Sequence, residues 1–117
     1  MQIKNYLNTE LETDIGCHDG EGPFRHAVIF GGDEFKSNIQ FFNYTVLLKG
    51  SSIGNHEHEN DEEIYVVLSG TGEMFFDGVW YPVSAGSVNL NKPFGVHGIR
   101  NTGETDMVLL VFEVKID

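Results

Sequence analysis

A single cysteine, Cys17, stands in the 117-residue chain, so no disulfide can form within it. No stretch of about 18 apolar residues occurs, which leaves no candidate for a membrane-spanning helix. The opening residues Met1-Gln2-Ile3-Lys4-Asn5 lack the apolar core of a secretion signal. Cations are scarce as well: 7 Lys and Arg face 18 Asp and Glu, a net charge of −11. Such a charge repels phosphate backbones and anionic membranes, so neither nucleic acid nor a membrane is expected as a partner. A cytoplasmic location is the default that these absences leave.

What the chain does have is enough apolar material for a core. It is 40% hydrophobic and 12% aromatic, at a length that fits one domain over residues 1–117. Residues 1–24 read as an N-terminal arm, in which the spacing of Leu7 and Leu11, with Asn8-Thr9, predicts a short capped helical turn. Gly16, Gly20, Gly22 and Pro23 break regular structure after it. Strands are expected over 25–30, 40–49, 64–68, 73–76, 79–83, 87–90, 96–101 and 107–114. Asp77-Gly78 between two of them is a strong hairpin signal. Short strands at regular turns with no long helix describe an all-β sandwich or barrel. The strand at 40–49 is apolar on both faces, more than one small barrel buries, which predicts a homodimer.

The chemistry concentrates between Gly50 and Gly70. Five residues separate Gly50 from His56-Glu57-His58, four more lead to Glu63, and six more to Gly70. Two His one residue apart share a strand face, and a carboxylate opens the next apolar run. Two imidazoles and a carboxylate converging from neighbouring strands suit a divalent first-row metal. The competing reading makes them polar loop residues in an acidic patch, and the residues alone weigh the two evenly.

This spacing resembles the first motif of the cupin superfamily at every position. The second motif of that family is similar to Gly86 through Asn101, with His97 at the required distance from Gly86 and Asn101 four residues beyond it. Pro93 and Gly95 each stand one position late, which moves the turn and not the His. The resemblance spans about 44–114, and it implies a double-stranded β-helix, the cupin jelly-roll barrel.

The resemblance also implies that His56, His58, Glu63 and His97 bind one divalent transition metal, Mn, Fe, Ni or Zn. An octahedral ion so held keeps two positions for a bidentate ligand, and a tetrahedral Zn keeps none. The expected partner is a small-molecule anion or a sugar-derived ligand. Two functions follow: a small metalloenzyme of dioxygenase, decarboxylase or isomerase type, or a non-catalytic metal- or ligand-binding module. Outside the motifs, Cys17 and His18 read as soft donors without partners, and His26 as a hydrogen-bonded strand His. Arg25 is either a carboxylate clamp in the cavity or a solvated strand end. Glu57, Glu59, Asp61 and Glu62 read as a solvated face or as a source of a proton-shuttling carboxylate over the metal. Phe24, Phe42, Tyr44 and Trp80 are available as pocket walls.

Overall fold

Ten strands carry the regular structure in the computed structural model, which describes residues 1–117. They are β1 (Glu12–Ile15), β2 (Pro23–Gly31), β3 (Ile39–Leu47), β4 (Ser52–Glu57) and β5 (Asp61–Ser69), then β6 (Thr71–Phe76), β7 (Val79–Ser84), β8 (Val88–Asn91), β9 (Val96–Asn101) and β10 (Met107–Lys115). One antiparallel sheet runs β1-β2-β3-β10-β5-β8 and the other β4-β9-β6-β7. Together they make the expected all-β double-stranded β-helix. No helix is long and apolar enough to cross a membrane.

Alternation along β10 shows why these residues pack as they do. Met107, Leu109 and Val111 are buried between the sheets, while Val108, Leu110 and Phe112 face outward. Leu47, Val67, Met74 and Ile99 join the same core from four other strands. Side chains of a strand point alternately to its two faces, so one period-two pattern serves both surfaces. The outer face of β2, β3 and β10 is apolar too, with Phe42 stacked on Phe112 at 5.4 Å. The Asp77-Gly78 hairpin forms as expected, both residues taking positive φ (43° and 93°), the twist that suits a two-residue turn.

The N-terminal residues differ from expectation. A 3-10 turn covers Tyr6–Asn8 and is capped by Asn5, whose Oδ1 accepts from the Leu7 N–H at 2.9 Å. Asn8-Thr9 therefore ends a turn instead of starting one. Residues 12–15 form β1, an outer strand paired with β2, so part of the arm belongs to the first sheet. All four β1 residues are exposed, which left no apolar alternation to read.

Between β1 and β2 the chain makes a second 3-10 turn, Cys17–Asp19, and lays it directly on β4. The Ser52 N–H donates to the Glu21 carbonyl at 2.8 Å, and the Glu21 N–H donates to Ser52 Oγ at 2.8 Å. The two backbones come so close that a Cβ on Gly54 would collide with the His18 carbonyl, and one on Gly20 with the Ser52 carbonyl. Glycine at both places lets the turn reach the site. Gly54→Ala is accordingly expected to cost about 1–3 kcal/mol in denaturant unfolding, the range of an overpacked contact. Gly31→Ala, whose Cβ would meet nothing nearer than 3.7 Å, serves as the control. Equal midpoints for the two variants would show that the turn is not seated on β4.

Candidate metal centre

The first motif His pair straddles the end of a strand. Pairing of β4 with β9 slips between Ile53 and His56, which brings His56 directly opposite His97. A bulge of this kind re-aims a side chain that regular alternation would send elsewhere. His58 follows just beyond β4, and its N–H donates to the Gly95 carbonyl at 3.0 Å. The Phe94 N–H donates to the Glu59 carbonyl at 2.9 Å, so the displaced second-motif turn clasps the loop of the first motif. Glu63 comes from β5, in register with Asn91 and Glu113. Asn101, the last motif residue, is buried and serves the fold: it donates to the Leu47 and Thr105 carbonyls at 3.0 and 2.8 Å.

These elements bring His56, His58, Glu63 and His97 together, one donor atom from each lying within 4.8 Å of the others. Glu63 Oε1 stands 3.1 Å from His97 Nε2 and 3.3 Å from His58 Nε2. His58 Nε2 lies 3.2 Å from His56 Nε2 and 2.5 Å from His97 Nε2. His97 is fully buried, and Glu63 and His58 nearly so.

The outer nitrogens show what the inner ones can do. His56 Nδ1 faces the Gly54 carbonyl at 2.9 Å, and a carbonyl only accepts, so the proton is on Nδ1. His58 Nδ1 likewise faces Asp61 Oδ1 at 2.7 Å, with Glu113 Oε1 at 3.5 Å. Once neutral, both rings turn an Nε2 lone pair toward the centre, the tautomer a metal ligand needs. Converging lone pairs repel one another unless a cation sits among them. The donor set thus fits a divalent transition metal, with three imidazoles favouring the softer ions of that class.

The protonation equilibria describe the metal-free cluster. Burial pushes His56 down to about 4, so it is neutral at pH 7. The hydrogen bond to Glu63 raises His58 to about 9 in spite of its burial, with Asp61 adding to the effect. Burial would raise Glu63, but hydrogen bonds from His58 and His97 hold it at about 2. Behind His58, burial and then the neighbouring Asp61 carboxylate push Glu113 up to about 7. Without metal the cluster therefore takes its cation as a proton on His58.

A cavity of about 250 Å³ opens beside His56 and Glu63. Phe24 lines it as the sequence allowed, joined by Phe41 and Tyr65. The other aromatic candidates do not line it: Phe42 and Tyr44 point to the outer face of β3, and Trp80 stacks on Arg100 at 3.7 Å. Arg25 is not a cavity clamp, because it alternates with the inward Phe24 and His26 and is exposed. Cys17 and His18 do reach the cavity, and the His18 ring stacks on His56 at 3.7 Å. Burial, then Asp14, push the Cys17 thiol above its usual range. His26 lines the cavity while bonded to Asp14 Oδ2 at 3.0 Å. Asp61 lies behind His58, bonded to its outer nitrogen, and Glu57 and Glu59 are exposed. Asn43 and Thr45 were missed; alternation with the outward Phe42, Tyr44 and Val46 was the signal that could have found them.

The cupin domain family profile matches residues 43–113. A Thermotoga maritima protein named oxalate-binding protein is 34% identical over 91 residues, covering 78% of this chain and 75% of that one. A crystal structure from Thermotoga maritima, described as a predicted oxalate decarboxylase, superposes with a TM-score of 0.95 at 28% identity, covering 98% of this chain and all of the other. A cupin 2 conserved barrel domain protein from Salinispora arenicola superposes at 0.77 with 21% identity, covering 98% of this chain and 89% of that one. That last likeness bears on the fold alone.

The shifts set the pH dependence of chelator-treated protein. His58 is raised from 6.5 to about 9, so its contribution is full below pH 6.5 and is lost as pH rises through 9. His56 is lowered from 6.5 to about 4, so its contribution is full above pH 6.5 and is lost as pH falls through 4. Glu113, raised from 4.5 to about 7, loses its contribution between those values. From pH 7 to 9 the loss should follow His58. Denaturant titrations of chelator-treated protein should fall across that window, and His58→Gln should flatten the fall. An unchanged slope in the variant would contradict the assignment.

Proposed function

The chain belongs to the cupin family, and from that premise we propose that it is a small metalloenzyme that docks a carboxylate on one divalent transition metal. His56, His58, Glu63 and His97 would hold the ion. The convergence of their four donor atoms within 4.8 Å, two of the imidazoles with their outer nitrogens already committed, carries the reading. Three neutral imidazoles and one carboxylate leave a divalent ion at net charge about +1, an anion-attracting centre inside an acidic protein. Such an ion supplies Lewis-acid stabilisation to a carboxylate or keto oxygen. The name of the Thermotoga relative, an oxalate-binding protein, supports a small carboxylate as the ligand class.

The chain's own residues prepare the site. His18 stacked on His56 restricts that ring. Burial and then Glu63 push the Tyr65 phenol well above its usual range, so it stays a proton donor facing the cavity. Phe24, Phe41, Ile53 and Val111 give the cavity apolar walls that limit bulk water. A second reading, a non-catalytic binding module, is favoured by the word "binding" in the relative's name; turnover of a bound acid separates the two. The outward apolar face of β3 and β10, with Val46, Val108 and Leu110, supports pairing as a homodimer.

Calorimetry with oxalate, pyruvate and a uronate on metal-loaded and chelator-treated protein tests the docking. Binding should require metal, and Glu63→Gln should weaken metal and ligand together. Equal affinity with and without metal would contradict the proposal.

A further inference from the structure

His18 stands where the backbone suits glycine better. Its φ of 51° and ψ of 41° lie in the left-handed region, and Asp19 beside it follows at φ 61°. Glycine adopts such angles freely, whereas a side chain there carries a steric cost. Gly16, Gly20 and Gly22 crowd the same segment, yet position 18 is a histidine. Core packing does not account for that choice, because His18 is exposed. Left-handed residues with side chains persist where their surroundings hold them, and they cluster at functional sites.

The ring shows what the angle achieves. It lies on the His56 ring, centroid to centroid 3.7 Å, with the two planes 14° apart. Of the three imidazoles at the centre, His56 is the least enclosed. His97 is fully buried and His58 is 8% exposed, while His56 is half-buried and lines the cavity. The bond from His56 Nδ1 to the Gly54 carbonyl fixes one point of the ring and leaves it free to tilt about that point. A flat ring laid against its face removes the tilt. His18 is not itself a further metal ligand. The planes are nearly parallel, so an ion lying in the plane of one ring stands well out of the plane of the other, away from its lone pair. His18 is also outside the group of donors that lie within 4.8 Å of one another.

We propose that His18 is a positioning residue for the metal centre: the left-handed turn is kept so that its ring covers one face of His56 and aims Nε2 of His56 at the ion. The inference rests on the metal-binding reading above and adds the residue that holds its least buried ligand. Backbone and ring then make opposite demands at one position. Removing the side chain relieves the backbone and frees His56, so stability and metal affinity should move apart.

Three variants separate those demands. His18→Gly removes both ring and strain, His18→Ala removes the ring and keeps the strain, and His18→Phe keeps a flat ring without its nitrogens. Chelator competition with Zn²⁺ reads affinity, and the absorption spectrum of fully Co²⁺-loaded protein reads ligand geometry. Denaturant unfolding of chelator-treated protein reads the fold. The Gly and Ala variants should bind Zn²⁺ about tenfold more weakly, the scale of losing a group that orients a ligand, and should shift the Co²⁺ bands. The Phe variant should stay within about threefold of wild type, well short of that loss, and keep the wild-type bands. The Gly midpoint should stand at or above the Ala midpoint, and the Ala variant carries the same metal prediction where glycine loosens the turn. Wild-type affinity and bands in the Gly and Ala variants would overturn the proposal, and a fall in their midpoints alone would leave the turn a purely structural one. A Phe variant as weak as the Gly variant would show that a ring nitrogen acts and not the stack, which also overturns it. If the wild-type protein takes up neither Zn²⁺ nor Co²⁺, the metal centre itself falls, and this role with it.

Discussion

Everything at the heart of this barrel follows from repulsion that must be relieved. Three imidazole nitrogens and one carboxylate oxygen, all electron-pair donors, are held within 4.8 Å in a buried setting. Two of the imidazoles cannot turn away, because their outer nitrogens are tied to the Gly54 carbonyl and the Asp61 carboxylate. Their backbones cannot move apart either, since His56 and His97 are cross-strand partners and His58 is pinned to Gly95. The arrangement is stable only with positive charge at its centre. A proton on His58 meets that need in part, and a divalent ion sharing all four donors meets it fully.

The second consequence is an asymmetric cavity. Its metal end concentrates the imidazoles, and its far side is built by the N-terminal strand, which the hairpin of β1 and β2 brings over the opening. The Cys17–Asp19 turn makes that placement possible through backbone contact at Gly54 and Gly20. It also puts His18 against His56, so the segment that shapes the cavity also steadies a candidate ligand.

The resemblance of the motif spacing to the cupin family made the barrel and the four donors His56, His58, Glu63 and His97 legible; alternation and turns alone gave an all-β fold and left a metal site even with a polar loop. The Asp77-Gly78 hairpin was legible for a local reason: its two residues tolerate the positive φ that the turn requires. Other features depend on distant partners. β1 is exposed throughout and owes its conformation to pairing with β2, so nothing in its own residues announces a strand. The bulge that aims His56 at His97 is a relation between two strands. Arg25 and His26 are neighbours in sequence, and which one faces the cavity was decided by register: His26 falls opposite the inward Thr45, and Arg25 opposite the outward Val46. Phe42 and Tyr44 went outward by that same rule.

Metal stoichiometry tests the central claim most directly. Elemental analysis should be run on wild-type protein and on His97→Ala, each purified without chelator and then offered Mn, Fe, Ni and Zn in turn. The account predicts one ion per chain in the wild type with at least one of these metals, and a strong loss of occupancy in the variant. A wild-type protein that stays substoichiometric with all four metals, or a variant that retains full occupancy, would contradict it.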